Sequence, residues 1–138
     1  MNTDLAAQRA IDRLDKRGFE ALTETEKVLA TVWCTAAGVG NNGFLRFYKS
    51  KRGNLAHYAP TAFGKIGAIQ LAAIMAEANS MFGPAGPGQE RSTRTTQVLG
   101  LDDAARRGLG ALEERFYAST EDEDELLEGF LNQQPSNE

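Results

Sequence analysis

The chain has 138 residues, 41% hydrophobic and 25% charged with a net charge of −4, the size of one ordinary domain whose core needs no staple. A single cysteine (Cys34) and a single histidine (His57) exclude a disulfide framework, a Cys-rich zinc site and paired-histidine metal motifs. No apolar run approaches the roughly 18 residues of a spanning helix, and Met1 to Arg13 is polar and charged, so neither a transmembrane helix nor a signal peptide is expected and the cytoplasm is the default compartment.

Helical spacing runs through almost the whole chain, and no stretch of alternating β-branched residues suggests a strand. Leu5, Ile11 and Leu14 mark an amphipathic helix from an N-cap at Thr3 to a stop near Gly18. Thr23-Glu24-Thr25-Glu26 is a capping-box pattern, followed by Val28, Leu29, Val32, Trp33 and Ala36 on one apolar stripe. The glycines and asparagines of Gly38-Val39-Gly40-Asn41-Asn42-Gly43 predict a turn that ends this helix. Phe44, Phe47 and Tyr48 then share the face of a short helix, and Lys49 to Asn54 reads as a basic turn. Pro60 suits the first turn of a helix continuing to Ile66.

Residues 67–82 are apolar on nearly every side, which predicts the central helix of a compact multi-helix domain. Gly83 to Gly88 is a loop. Three threonines weaken the helical signal over 89–99. Asp102 caps a helix carrying Ala105, Leu109, Leu112 and Phe116, and a last helix over 120–131 turns Leu126, Leu127, Phe130 and Leu131 inward. The expectation is a single all-α domain over residues 1–131, with 132–138 a disordered tail. Whether residues 1–18 pack on it stays open.

Little in the chain suits catalysis. Cys34 sits inside a helical stripe, where a thiol is buried and inert, and His57 reads as a surface histidine. The prolines of the 83–88 loop remove N–H groups that a phosphate would need. The acids at 121–128 lack calcium-loop spacing. No enzyme activity, cofactor or metal is expected.

The charge is unevenly placed. Residues 1–70 hold ten Lys/Arg against six Asp/Glu, whereas residues 71–138 hold five against thirteen. The basic peak (Arg46, Lys49, Lys51, Arg52) lies beside Phe47 and Tyr48, a combination that can grip single strands. The acidic peak runs from Glu121 to Glu125, with Glu128 beyond. In a helix over 120–131, Glu121, Asp122, Glu125 and Glu128 share one face. An i, i+4 step there advances about 6 Å, near the spacing of alternate phosphates at about 3.4 Å each along one DNA strand. The same acids also read as a solvated helix start, with Thr120 to Glu123 a second capping box.

Trp33, then Val39-Gly40-Asn41-Asn42-Gly43-Phe44, Phe47-Tyr48, Gly53 and Ile66-Gly67-Ala68 keep the order of motifs in the DNA-mimic-protein family, which the chain resembles over about residues 20–131. The loop from Phe82 to Pro87, Arg91 and Glu114-Arg115-Phe116-Tyr117 extend the likeness. Gly38 and Arg46 depart from the family's usual glutamate and glutamine there. The resemblance implies a bacterial, non-enzymatic all-α protein, dimeric, that presents acidic surface to the DNA-binding site of a transcription regulator. The residues it would use are Glu121, Asp122, Glu125 and Glu128, with Asp102, Asp103 and Glu113. The alternative is a protein-interaction or immunity-type module contacting its partner through the Asn41-Asn42-Gly43 turn with Arg46 and Lys49. Direct nucleic-acid binding through the basic turn is the third reading, and no membrane partner is implied.

Overall fold

The computed structural model describes residues 2–134, and among them it is all-helical, as the spacing predicts. The elements are α1 (Thr3–Arg17), α2 (Glu24–Lys49), α3 (Ala59–Lys65), α4 (Ile69–Ser80), α5 (Arg91–Leu99), α6 (Asp103–Ala118) and α7 (Glu123–Asn132). Short 3-10 turns at Phe19–Ala21 and Lys51–Leu55 link the first three helices. Asn2, rather than Thr3, caps α1 by accepting the Leu5 N–H. The capping box opens α2 as predicted, with Thr23 and Glu26 each accepting the other's backbone N–H.

Helix α2 is the element on which the others assemble: α1, α3, α5, α6 and α7 all pack on it. Its buried residues include Val28, Val32, Val39, Phe44, Phe47 and Tyr48. Helix α1 docks through Ala7, Ala10 and Ile11, so the N-terminal segment packs on the rest. The apolar helix predicted at 67–82 is present as α4, but it is one-sided. Leu71, Ile74, Met75 and Ala78 face the core, whereas Ile69 is 74% exposed and Ala73 and Ala76 face outward. Gln134 donates to the Phe130 carbonyl; of the tail expected at 132–138, residues 135–138 lie outside the described residues.

The break predicted across Gly38 to Gly43 is much narrower. Helical structure continues through Asn42, and only Gly43 leaves it, at φ 81 and ψ 171. That left-handed φ favours glycine. A Cβ there would also lie 2.5 Å from the Glu113 carboxylate, which accepts the Phe44 N–H at 2.6 Å. Glycine at 43 therefore lets α2 change direction while α6 reaches its restarted N-terminus.

The threonine-bearing segment forms α5, and its buried group is Arg94. The guanidinium donates from Nε to the Tyr48 carbonyl (2.8 Å) and from Nη2 to Ser50 (2.9 Å), both at the end of α2. Nη1 reaches the carbonyls of Gly88 (3.1 Å) and Gln89 (2.9 Å) in the loop before α5. A Cβ on Gly53 would sit 2.7 Å from Arg94 Nε, so glycine there makes room for the clamp. Two hydroxyls are less well served: Thr31 and Thr35, one turn apart on α2, are fully buried without a hydrogen-bond partner.

Arg94→Met should leave four carbonyls, the Tyr48 one buried and the others partly so, without their donor and destabilise the protein by about 3 kcal/mol in chemical denaturation. Arg94→Lys, with a point charge in place of the fork, should recover only part of that loss. Thr31→Val and Thr35→Val replace unpartnered hydroxyls and should be neutral or stabilising by about 1 kcal/mol in the same measurement. A loss above that size would contradict the packing described.

Candidate acidic interface

The acids singled out in the sequence divide by what their carboxylates do. The chain leaves α6 at Ser119, whose hydroxyl accepts the Glu121 N–H at 3.2 Å. Glu121 is thereby turned toward the start of α4, where its two oxygens accept the N–H groups of Gln70 (2.9 Å) and Leu71 (2.8 Å). The α4 N-cap is Ala68, which has no polar side chain, so Glu121 supplies the missing acceptors from a distant part of the chain. Glu113 does the same for Phe44 at the restart of α2.

The last helix starts at Glu123 instead of Thr120, because Asp122 is its N-cap and accepts the Glu125 N–H at 3.1 Å. The predicted Thr120 capping box is absent. Glu121 and Asp122 therefore do not share a helical face with Glu125 and Glu128. Asp102 caps α6 as predicted, accepting from Ala105 at 2.8 Å.

Asp102, Asp103, Asp122, Asp124, Glu125 and Glu128 are solvent-exposed, whereas Glu113, Glu121 and Glu123 are half-buried. Among the described residues none of these nine forms an ion pair. The paired acids lie almost entirely at the other end of the chain: Asp15, Glu20, Glu24 and Glu26, with Glu77 the exception.

The basic peak is partly neutralised by that arrangement. Arg52 binds Asp15 through both Nη atoms (2.8 and 3.2 Å), and Lys51 Nζ lies 3.1 Å from the same carboxylate. The Arg52 hydrogen bond, reinforced by Lys51, lowers the Asp15 pKa to about 2. Arg46 is exposed and takes part in no ion pair among the described residues, and Lys49 is half-buried with its carbonyl accepting from Arg91 Nε. Asn41 and Asn42 are exposed, but on the helix before Gly43 and not in a turn. His57 is exposed, with Nδ1 2.9 Å from the Asn54 carbonyl, and Cys34 is buried, which pushes its thiol pKa up.

Two grooves flank Trp33, and neither was legible as a groove in the sequence. One, of about 430 Å3, lies between α1 and α2. Ile11, Cys34 and Phe47 contribute apolar lining, and Gln8, Asn41, Asn42, Arg46 and Arg52 polar lining. The other, of about 260 Å3, lies between α2 and α7 and is lined by Val32, Trp33, Ala36, Ala37, Leu127, Glu123 and Asp124.

The family model described as DMP19-like protein matches residues 20–134. The chain belongs to the DMP19-like protein family. This is the DNA-mimic-protein family that the ordered motifs resemble. The match leaves out α1 and takes in every acid of the candidate interface. No curated protein and no solved structure matches the chain significantly. Among the described residues of this DMP19-like protein, no group of His, Cys, Asp and Glu could hold a metal, and no helix is long and apolar enough to cross a membrane.

The Asp15 geometry gives a pH signature. Folding lowers its pKa from 3.8 to about 2, so its stabilisation is complete above about pH 4 and is lost as pH falls through about 2. Asp15→Asn should lower the melting temperature near neutral pH, with a screened effect of about 0.5–1 kcal/mol. The difference from the parent protein should shrink steadily between pH 4 and pH 2; a pH-independent difference would show that the carboxylate charge is not what matters.

Proposed function

We propose that this protein is a non-enzymatic DNA mimic that binds a DNA-binding regulator. The surface it would present centres on Asp122, Glu125 and Glu128 around the start of α7, with Asp102 and Asp103 a separate acidic point at the other end of α6, about 24 Å along that helix. Glu113 and Glu121 support that surface from behind, as caps on α2 and α4. The observation that carries the reading is the unpaired state of these acids, beside a family match that spans them. Asp15, Glu20, Glu24 and Glu26 are ion-paired, whereas the acids of this surface form no ion pair among the described residues, which keeps negative potential available to a basic partner. On this reading the protein acts in the cytoplasm on transcription, and a homodimer would double the acidic surface; equilibrium sedimentation tests the latter.

A second reading rests on the groove lined by Asn41, Asn42 and Arg46, with Lys49 nearby in sequence, as a contact for a different protein partner. Direct nucleic-acid binding is disfavoured, since Lys51 and Arg52 are already held by Asp15.

The test is charge reversal at positions that cap nothing. Asp103→Lys, Glu125→Lys and Glu128→Lys together should abolish binding to the regulator, with helicity and melting temperature nearly unchanged. Binding by the parent protein should weaken with added salt and be displaced by duplex DNA. If the folded triple variant still binds, or if DNA does not compete, the mimicry reading fails. Loss of binding on changing Asn41, Asn42 and Arg46 instead would favour the second reading.

A further inference from the structure

The smaller groove, between α2 and α7, combines three features found together nowhere else among the described grooves. Val32 and Leu127 are almost completely buried at its lining, with Ala36 and Ala37 adding small apolar surface. Trp33, the chain's only tryptophan, is half-buried there and makes no hydrogen bond or ring contact with another described residue. Glu123 and Asp124 complete the lining, and neither has a basic partner among the described residues. At about 260 Å3 the space is below the usual size of a small-molecule pocket and suits one or two long side chains.

We propose that this groove is the anchor for an arginine side chain of the basic partner segment that the acidic surface receives. The chemistry selects arginine. Its three-carbon stem can lie along the aliphatic lining, as long cationic side chains do on apolar surfaces. Its flat guanidinium can rest against the exposed part of an indole and still offer N–H donors to a carboxylate. Glu123 and Asp124 supply the missing charge. An aromatic plane beside carboxylates also offers an arginine what a nucleobase beside phosphates offers it. The groove thus gives the acidic surface a fixed point, which exposed carboxylates alone do not provide, because rim charges steer association more than they hold it.

This inference rests on the mimicry reading for the partner's basic character, yet it can fail separately. The probe is a hexa-arginine peptide titrated at low salt, with Trp33 emission as the readout. A saturable change is expected, weakened at least tenfold by Glu123→Gln with Asp124→Asn. Glu90→Gln with Glu114→Gln removes the same charge elsewhere and should change the affinity less than twofold. Ala36→Leu, which fills this groove and not the one toward α1 without altering charge, should weaken binding as the first pair does, and hexalysine should bind more weakly than hexa-arginine.

No saturable change in Trp33 emission, or equal weakening by the two charge-matched pairs, overturns the groove. So does an unchanged affinity in the Ala36→Leu variant once circular dichroism shows it folded. With the regulator itself, displacement by duplex DNA combined with full binding by the Glu123→Gln, Asp124→Asn protein would reject the groove and leave mimicry standing. Arginine binding in the groove without competition by DNA would do the reverse.

Discussion

The fold depends on a buried cation with no anion beside it. Arg94 is fully enclosed and satisfies its guanidinium with four backbone carbonyls, two from the end of α2 and two from the loop entering α5. Carbonyls at a helix C-terminus are short of donors and carry the negative end of the helix dipole, so this is where a desolvated guanidinium can be accommodated. Burial lowers the Arg94 pKa, but arginine starts high enough to stay charged. The result is a strap from α2 across to α5, and it fixes where α2 ends. Gly53 is part of the same arrangement, since a larger residue would push against both the guanidinium and the Tyr48 carbonyl it holds.

At the other polarity, the molecule uses carboxylates to start helices. Glu113 serves the restart of α2, Glu121 serves α4, Asp102 serves α6 and Asp122 serves α7. Two of these are local caps and two reach across the fold. The long-range pair tie α6 and the α6–α7 connection to α2 and α4, so part of the C-terminal acidity is structural. What remains exposed is a smaller set than the thirteen Asp/Glu after residue 70, and a more clearly defined one. A net charge of −4 therefore understates the local field at α7, which carries no Lys or Arg, because ten of the fifteen lie in residues 1–70, where Asp15 already pairs with Lys51 and Arg52.

Much of this was legible from periodicity and caps. The capping box at Thr23, proline in the first turn of α3, and the stripes of α6 and α7 all follow from local chemistry that tertiary contacts do not override. The departures from the sequence pattern have distinct physical causes. Gly38, Gly40, Asn41 and Asn42 have low intrinsic helix preference, and packing outweighed it until Gly43 required a left-handed φ. Residues 67–82 were read as central because one face cannot be told from two when alanine fills both. Arg94 carried no sequence signal for burial, since an arginine among threonines reads as surface. Glu113 and Glu121 looked like free surface acids because their partners are 69 and 50–51 residues away in sequence. The two grooves depend on how α1 and α7 lean on α2, which no spacing within α2 encodes.

Trp33 stands where these strands of structure meet. Helix α2 divides the surface around it: toward α1 the groove is lined by Arg46 and Arg52, toward α7 by Glu123 and Asp124. Only the second side is lined by acids that have no ion-pair partner among the described residues, and only that side lies wholly within the segment shared with the family. Unpaired like charges repel in the free protein, a cost that falls when a cationic partner arrives. Apolar surface beside them gains from being covered. A surface with both features favours a partner that brings positive charge and a long side chain together, and it discriminates against a simple cation. Duplex DNA offers its readers the same pairing of anionic backbone and flat apolar rings, so a mimic that supplied acidity without the ring would reproduce only half of what those readers bind.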